Sequence, residues 1–353
     1  MTDSGHDLLR RAPATLHDVA REAGVSLATA SRSLNGSTRR VNDEYRRRVL
    51  EAAARLDYSP NLSAQAVARG TTTTVALLVA DIADPYFSSI AAGVIAVADI
   101  EHHVVTMAVT ERDPERELAL VRTLRGQRPR VMILAGSRPM TDPAGGALAD
   151  ELRAYERAGG RVVLIGRNES GLRTVPIDNR GGAAALGREL VRLGYRRFAA
   201  ITGAEGLRSA ADRVDGFREG VIAAGGELRD EDVVRDAFTR DGGHRGMQAL
   251  LERGLQGVEL VFASTDVMAV GVMSAIRDAG LLPGAEVAVA GFNDISTARD
   301  LTPALTTVRV PLEELGRRAL RLALGDADAD ADADGGTVQT EVVLRDSTPG
   351  LPR

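Results

Sequence analysis

The chain has no cysteine, no tryptophan and no lysine. Without cysteine, disulfides and thiolate-held metals are excluded. Aromatic residues supply 3% of the 353 positions against 44% for all hydrophobic types, so a large core has to be aliphatic. Because lysine is missing, all 44 basic residues are arginine; a GC-rich coding sequence suffices to explain that. Also missing is any apolar run long enough to cross a bilayer. The first residues, 1–13, carry Asp3, Asp7, Arg10 and Arg11 where a secretion signal would be apolar. They are expected to form a disordered tail on a soluble, cytoplasmic protein.

Catalytic signatures are equally scarce. No Gly-x-Gly-x-x-Gly follows the first predicted strand, and no Walker A sequence is found. The histidines, His6, His17, His102, His103 and His244, lack metal-ligand spacing, and no Ser/His/acid set is suggested. The expectation is a protein that is not an enzyme and uses neither metal nor cofactor.

Charge is unevenly placed. The formal net charge of −5 argues against nucleic acid if taken whole. Residues 1–70, however, hold 11 arginines against 8 acidic residues, a net of +3, while residues 71–353 hold 33 against 41, a net of −8. A basic head on an acidic body suits a protein that touches phosphates with the head alone.

Within the head, Thr15 to Gly36 reads as two short helices around a tight turn. Leu16, Val19, Ala20 and Ala23 recur at i, i+3, i+4 and i+7, one apolar helical face. Gly24 stands where a helix end takes the left-handed conformation, and Ser26 can cap a second helix. That helix offers Leu27, Ala28, Thr29, Ser31 and Arg32, small or hydrogen-bonding groups that can approach base edges in a major groove. By themselves these residues fit a plain helical hairpin as well as a DNA-reading helix-turn-helix. The wording Thr15-Leu-x-Asp-Val-Ala-x-x-Ala-Gly-Val-Ser-x-x-Thr-x-Ser-Arg-x-Leu-Asn35 closely resembles the headpiece of the LacI/GalR family of bacterial transcriptional repressors.

A third helix should follow. Asn42 can cap it, and Tyr45, Val49, Ala52, Ala53 and Leu56 would close a three-helix core within a headpiece spanning 14–59. Arg39 and Arg40 precede it in a polar loop, and Arg46, Arg47 and Arg48 mostly face solvent. Pro60, Asn61 and Gly70 bracket a helix of two turns, too short to be stable alone. In the resembling family this stretch, 60–71, is a hinge helix that orders when two chains sit side by side on DNA and wedge a side chain into the minor groove. Val67 occupies the wedge position, where the family usually has leucine. The resemblance implies DNA contacts by Thr15, Ser26, Leu27, Ala28, Thr29, Ser31, Arg32 and Asn35, and by Asn61, Ala64 and Val67 of the hinge. It also implies a homodimer on double-stranded operator DNA. No leucine-rich heptad tail follows Leu344, so the tetramerising helix of some relatives is not expected.

From Thr74 onward, short aliphatic runs alternate with amphipathic stretches. The runs are Val75–Ala80, Val104–Val109, Val131–Ala135, Val162–Ile165, Phe198–Thr202, Leu260–Ala263 and Val287–Ala290. Strands buried on both faces and joined by helices form parallel sheets, an α/β architecture. Their number suggests two lobes, one of about 72–172 with 301–325 and one of about 173–300 with 337–353. The tract 326–336 alternates Asp with Ala; it lacks the Gly and terminal Glu of a calcium loop and reads as a self-repelling surface loop. Asp84-Pro-Tyr-Phe87, Val175-Pro-Ile-Asp-Asn179, Asp212-Arg-Val-Asp-Gly-Phe217, Thr265-Asp-Val-Met-Ala-Val-Gly271 and Gly291-Phe-Asn-Asp294 resemble, in order, the periplasmic-binding-protein-like effector domain of the same family.

Ligands of open α/β sheets collect at the carboxyl ends of strands. The loops there contain Asp84, Tyr86, Phe87, Arg167, Arg213, Phe238, Thr265 and Asn293, two aromatic walls with charged, amide and hydroxyl groups suited to a small polyhydroxylated effector such as a sugar. Asp266 is better explained as a helix cap. The family usually has Asn at 265 and Asp at 293, both ligand contacts, so the effector is either an unusual sugar or not a sugar. A solute-binding protein serving a transporter would share this body, but not the basic head.

Overall fold

A computed structural model describes residues 14–35, 41–59, 72–137, 146–166, 170–325 and 336–351. The chain divides into two compact units, Met1–Thr72 and Thr73–Arg353. The expected tail 1–13, Arg39 and Arg40, the hinge with Asn61, Ala64 and Val67, Arg167, and the acidic tract lie outside the described residues.

In the first unit, α1 (Leu16–Ala23), α2 (Leu27–Asn35) and α3 (Asp43–Arg55) enclose Val19, Ala20, Ala23, Ala30, Val49, Ala52 and Ala53. A reciprocal cap starts α1: the Thr15 hydroxyl accepts from the Asp18 N–H at 3.3 Å, and Asp18 Oδ2 accepts from the Thr15 N–H at 3.0 Å. Gly24, at φ 64°, ends it by donating to the Ala20 and Arg21 carbonyls. A Cβ at this glycine would also lie 2.5 Å from the Arg48 guanidinium. Asn42 caps α3 by accepting from the Glu44 N–H at 2.9 Å. Tyr45 departs from expectation. It sits in the first turn of α3, before the buried face begins at Val49, and at 45% exposed it leaves core closure to Leu34, Leu56 and Tyr58.

The second unit winds the same way twice. Strands β1 (Thr74–Val79), β2 (Val104–Val109), β3 (Val131–Ala135), β4 (Arg161–Ile165) and β5 (Thr174–Val175) form a parallel sheet in the order β2-β1-β3-β4-β5. Strands β6 (Arg197–Thr202), β7 (Glu227–Arg235), β8 (Leu260–Ala263) and β9 (Ala288–Ala290) form a second, in the order β7-β6-β8-β9. The inner strands β3 and β8 are buried throughout, as crossover helices on both faces require. Those helices are α4 (Pro85–Ile100), α5 (Pro114–Gln127) and α6 (Ala147–Arg157) around the first sheet. Around the second are α7 (Asn179–Arg192), α8 (Arg208–Ala223), α9 (Arg240–Glu252) and α10 (Asp266–Asp278). Among the described residues no helix is long and apolar enough to cross a membrane.

One boundary shifts. Residues 301–325 were expected to return to the first lobe together. Only α11 (Leu312–Leu324) does so, packing on α4 and against β3 and β4. Thr306 instead bridges Ala290, and β10 (Thr307–Arg309) joins β11 (Glu341–Val343) in an antiparallel ribbon beside the second sheet. Thr306 and Thr307 are fully buried there, and their hydroxyls bond to the Arg345 carbonyl and to Asp266. Polar residues in an otherwise apolar layer therefore mark β10 as belonging to the second lobe.

Candidate functional site

Two sites emerge, one in each unit. In the first, the start of α2 stands exposed. Leu27 is 40% exposed and Ala28 beside it is also exposed. Ser26 and Thr29 hold each other: the Ser26 Oγ accepts from the Thr29 N–H at 3.1 Å and lies 2.8 Å from Thr29 Oγ1. Their hydroxyls therefore fix the first turn of α2. Arg32 is half-buried, and its Nε donates to the Ala28 carbonyl at 3.0 Å, which draws the guanidinium back toward the exposed Leu27–Ala28 corner. Ser31 is half-buried, Thr15 is exposed at the cap of α1, and Asn35 ends α2. Ser26, Leu27, Ala28, Thr29 and Arg32 thus sit on or beside one helix start, while Thr15 lies at the start of α1.

The second site is a cleft of about 760 Å³ including its mouth. It opens where the strand order reverses, at the carboxyl ends of β1 and β3 in one sheet and of β6 and β8 in the other. Asp84, Tyr86, Phe87, Arg213, Phe238, Thr265 and Asn293 all line it.

Asp84 caps α4 by accepting from the Tyr86 N–H at 2.9 Å. Arg112, from the loop after β2, stands 3.9 Å from Asp84 and 3.6 Å from Asp81. Burial outweighs these contacts and holds the Asp84 carboxyl above its ordinary value. Tyr86 meets Phe87 edge-on at 4.9 Å, and burial pushes its phenol up to about 12, so the hydroxyl remains a donor at neutral pH. Phe238 packs closely on Gly203, where a Cβ would meet the ring at 2.6 Å.

Arg213 joins the segments of the second lobe. It is 4% exposed; Nε donates to Asn179 Oδ1 at 2.8 Å, Nη1 to the Ser264 carbonyl at 2.7 Å and Nη2 to Asn293 Oδ1 at 3.1 Å. Its carbon lies 4.1 Å over the Phe292 ring. Burial pulls its pKa down to about 10, which leaves it charged at neutral pH. Asn293 holds φ at 121°, and the next residue, Asp294, is clamped by Arg309 at 2.8 Å and Arg345 at 2.6 Å.

The cap of α10 falls on Thr265 instead of Asp266: the Thr265 hydroxyl accepts from the Met268 N–H at 3.3 Å, and Thr265 lines the cleft as well. Asp266 is fully buried and ties α10 to the chain beyond β9, accepting from the Ile295 N–H at 2.9 Å and the Thr307 hydroxyl at 2.6 Å. Burial raises its pKa from 3.8 to about 6. Between these two values the folded chain holds a proton that the unfolded chain has released, so stability declines as pH rises through that window. Denaturant unfolding across the window should show this slope, and Asp266→Asn should flatten it. An unchanged slope in the variant would refute the assignment.

The cleft also contains residues not singled out in the sequence. Asn179, Asp212, Arg208 and Ser209 come from α7 and α8, Arg112 from the loop after β2, and Ser137 from the loop after β3. The rule that led to Asp84 and Thr265 applies equally to the ends of β2 and β3, and would have found the last two. Ser137 Oγ accepts from the Ser209 N–H at 3.1 Å, joining a loop of the first sheet to the start of α8.

The profile of bacterial regulatory proteins of the lacI family matches residues 15–61, and that of the periplasmic binding protein-like domain matches residues 188–348. The HTH-type transcriptional regulator GalS of Salmonella typhimurium is 33% identical over 315 residues, covering 89% of this chain and 90% of its own length. The chain belongs to the lacI family of bacterial transcriptional regulators. A second lacI-family relative, the regulator CelR of Thermobifida fusca, is 34% identical over 318 residues, 89% of this chain and 92% of that protein. Among solved structures, a CelR–cellobiose complex matches with TM-score 0.65 at 31% identity, covering 95% of this chain and 99% of that one. The lac repressor dimer bound to operator and an anti-inducer shares the fold, with TM-score 0.78 at 24% identity over 96% and 100% of the two chains. This lacI-family regulator is thus built from a helix-turn-helix headpiece and an α/β body with a cleft at its strand ends.

Proposed function

We propose that this regulator binds a pseudo-palindromic operator as a homodimer and represses transcription, and that a small polyhydroxylated effector in the cleft sets its operator affinity. The observation that carries the reading is the convergence of Asp84, Tyr86, Phe87, Arg213, Phe238, Thr265 and Asn293, drawn from loops of both sheets, on one cleft. The cellobiose complex of CelR supports a sugar-like ligand. The chain works by binding rather than by catalysis, in the cytoplasm where its DNA lies. In this reading Leu27, Ala28 and Arg32 meet base edges, while Thr15, Ser26, Thr29, Ser31 and Asn35 fix the helix on the phosphates. Asn61, Ala64 and Val67 enter the central minor groove. Effector binding changes how the two lobes close, and closure changes the spacing of the paired hinges.

Selection of operators from random duplex DNA tests this, using the full-length protein. A palindromic consensus should emerge, and Arg32→Ala should cost about 1–3 kcal/mol with relaxed preference at one base position per half-site. Enrichment of no palindrome, with Arg32→Ala binding as tightly as the unchanged protein, would refute the reading.

A further inference from the structure

We propose that the effector carries an anionic group, a carboxylate or a phosphate, received by Arg213; this deepens, and rests on, the reading of the cleft as the effector site. A guanidinium this deeply buried is ordinarily matched by a carboxylate, because desolvating an uncompensated charge is costly. Here all three hydrogen bonds end on uncharged oxygens, those of Asn179, Ser264 and Asn293. The carboxylates of Asp266, Asp84 and Asp212 act on Arg213 through their field and offset part of its charge. Asp84, however, takes the Tyr86 N–H and faces Arg112, and Asp266 takes the Ile295 N–H and the Thr307 hydroxyl. An arginine has N–H groups beyond the three in use, so Arg213 can still donate into the cleft it lines.

Two further observations carry the same sign. The charged residues lining the cleft, among those described, are Arg112, Arg208 and Arg213 against Asp84 and Asp212, an excess of one positive charge. The start of α8 also opens here: Leu207 stands at its N-cap without a side chain able to accept, Ser137 Oγ takes the Ser209 N–H, and Leu207, Arg208 and Ser209 all line the cavity. The positive end of a helix dipole thus adds to the arginines. Asn293 is the residue that sets this preference. A carboxylate in place of its amide would stand where Oδ1 does, 3.1 Å from Nη2, and would occupy the charge that the ligand needs.

The test uses the full-length protein with inorganic phosphate and with acetate as probes, following thermal stability at ionic strength held constant with chloride. Saturable stabilisation is expected from at least one probe, with Asn293→Asp binding it about tenfold more weakly. Phosphate alone acting points to a phosphate ester, and acetate acting points to a carboxylate. If Asn293→Asp does not fold, Asn179→Asp places the carboxylate on Nε instead. No saturable effect from either ion, or equal affinity in protein and variant, overturns the proposal. A parallel operator-release assay with neutral sugars, sugar acids and sugar phosphates separates the two layers. Release by a neutral sugar without any anion effect sinks the anionic group and leaves the effector cleft standing. Failure of all three classes to alter operator binding removes the cleft reading and this proposal with it.

Discussion

Arg213→Ala is expected to weaken effector binding by about 2–5 kcal/mol, a loss of at least roughly thirtyfold. The size follows from what the side chain holds. Its donors reach Asn179 at the start of α7, the Ser264 carbonyl after β8 and Asn293 after β9, three segments far apart in the chain that converge on this guanidinium. Truncation removes a donor that faces the ligand and also leaves three acceptors to be satisfied by water. The folded state should lose less than the ligand does, because the desolvation penalty borne by the buried charge disappears with it. Calorimetric titration, with the ligand that most stabilises the unchanged protein, reads the effect. A dissociation constant within about threefold of the original, in a variant that melts cooperatively, would show that Arg213 does not meet the effector.

Much of this architecture was legible in the amino-acid order. The i, i+3, i+4, i+7 face of α1, Gly24 at its end and Asn42 at the start of α3 are local signals, and each forms the structure that its chemistry favours. The central strands were legible because burial on both faces leaves unbroken aliphatic runs such as Val131–Ala135. Elements without such a run are not legible in this way. The strand β7, Glu227–Arg235, lies at a sheet edge and runs through four consecutive charged residues, Arg229 to Asp232, so it shows no unbroken aliphatic run. The ribbon of β10 and β11 is short and antiparallel, and Thr306 and Thr307 owe their burial to partners some forty positions away, Arg345 and Asp266.

The cleft divides in the same way. Asp84 and Phe238 follow strand ends and could be found by counting along the chain. That Thr265 rather than Asp266 caps α10 could not, because either residue type serves at a helix start. The choice is made by Ile295 and Thr307, which claim the Asp266 carboxylate through long-range packing. The uncharged acceptors of Arg213 were likewise invisible, since they depend on which oxygens three separate loops bring to one point.

The packing that holds those loops can be tested where it leaves least room. Gly271→Ala should destabilise the protein by about 3 kcal/mol, at the upper end of what overpacking costs. A Cβ on Gly271, in α10, would stand 1.8 Å from the Arg240 carbonyl oxygen and 2.7 Å from the His244 nitrogen of α9. Across the same contact, a Cβ on Gly243 would stand 2.1 Å from the Met268 carbonyl oxygen. Both obstacles are backbone, with no flexible side chain to swing aside, so the helices have to separate. Met247, Met268 and Val272, all fully buried, would then lose contacts. Alanine's better helix propensity returns only about 1 kcal/mol and does not reverse the sign. Gly126, near the end of α5, is the matched control: it has nothing within 4 Å of its would-be Cβ, so Gly126→Ala should be neutral or stabilise by up to about 1 kcal/mol. Urea unfolding followed by circular dichroism compares the two variants. Equal midpoints would show that α9 and α10 do not cross at backbone contact. Their separation also bears on function, because α9 begins two residues after Phe238 and α10 one residue after Thr265. Gly271→Ala should therefore weaken effector binding as well as stability, through residues that it never touches.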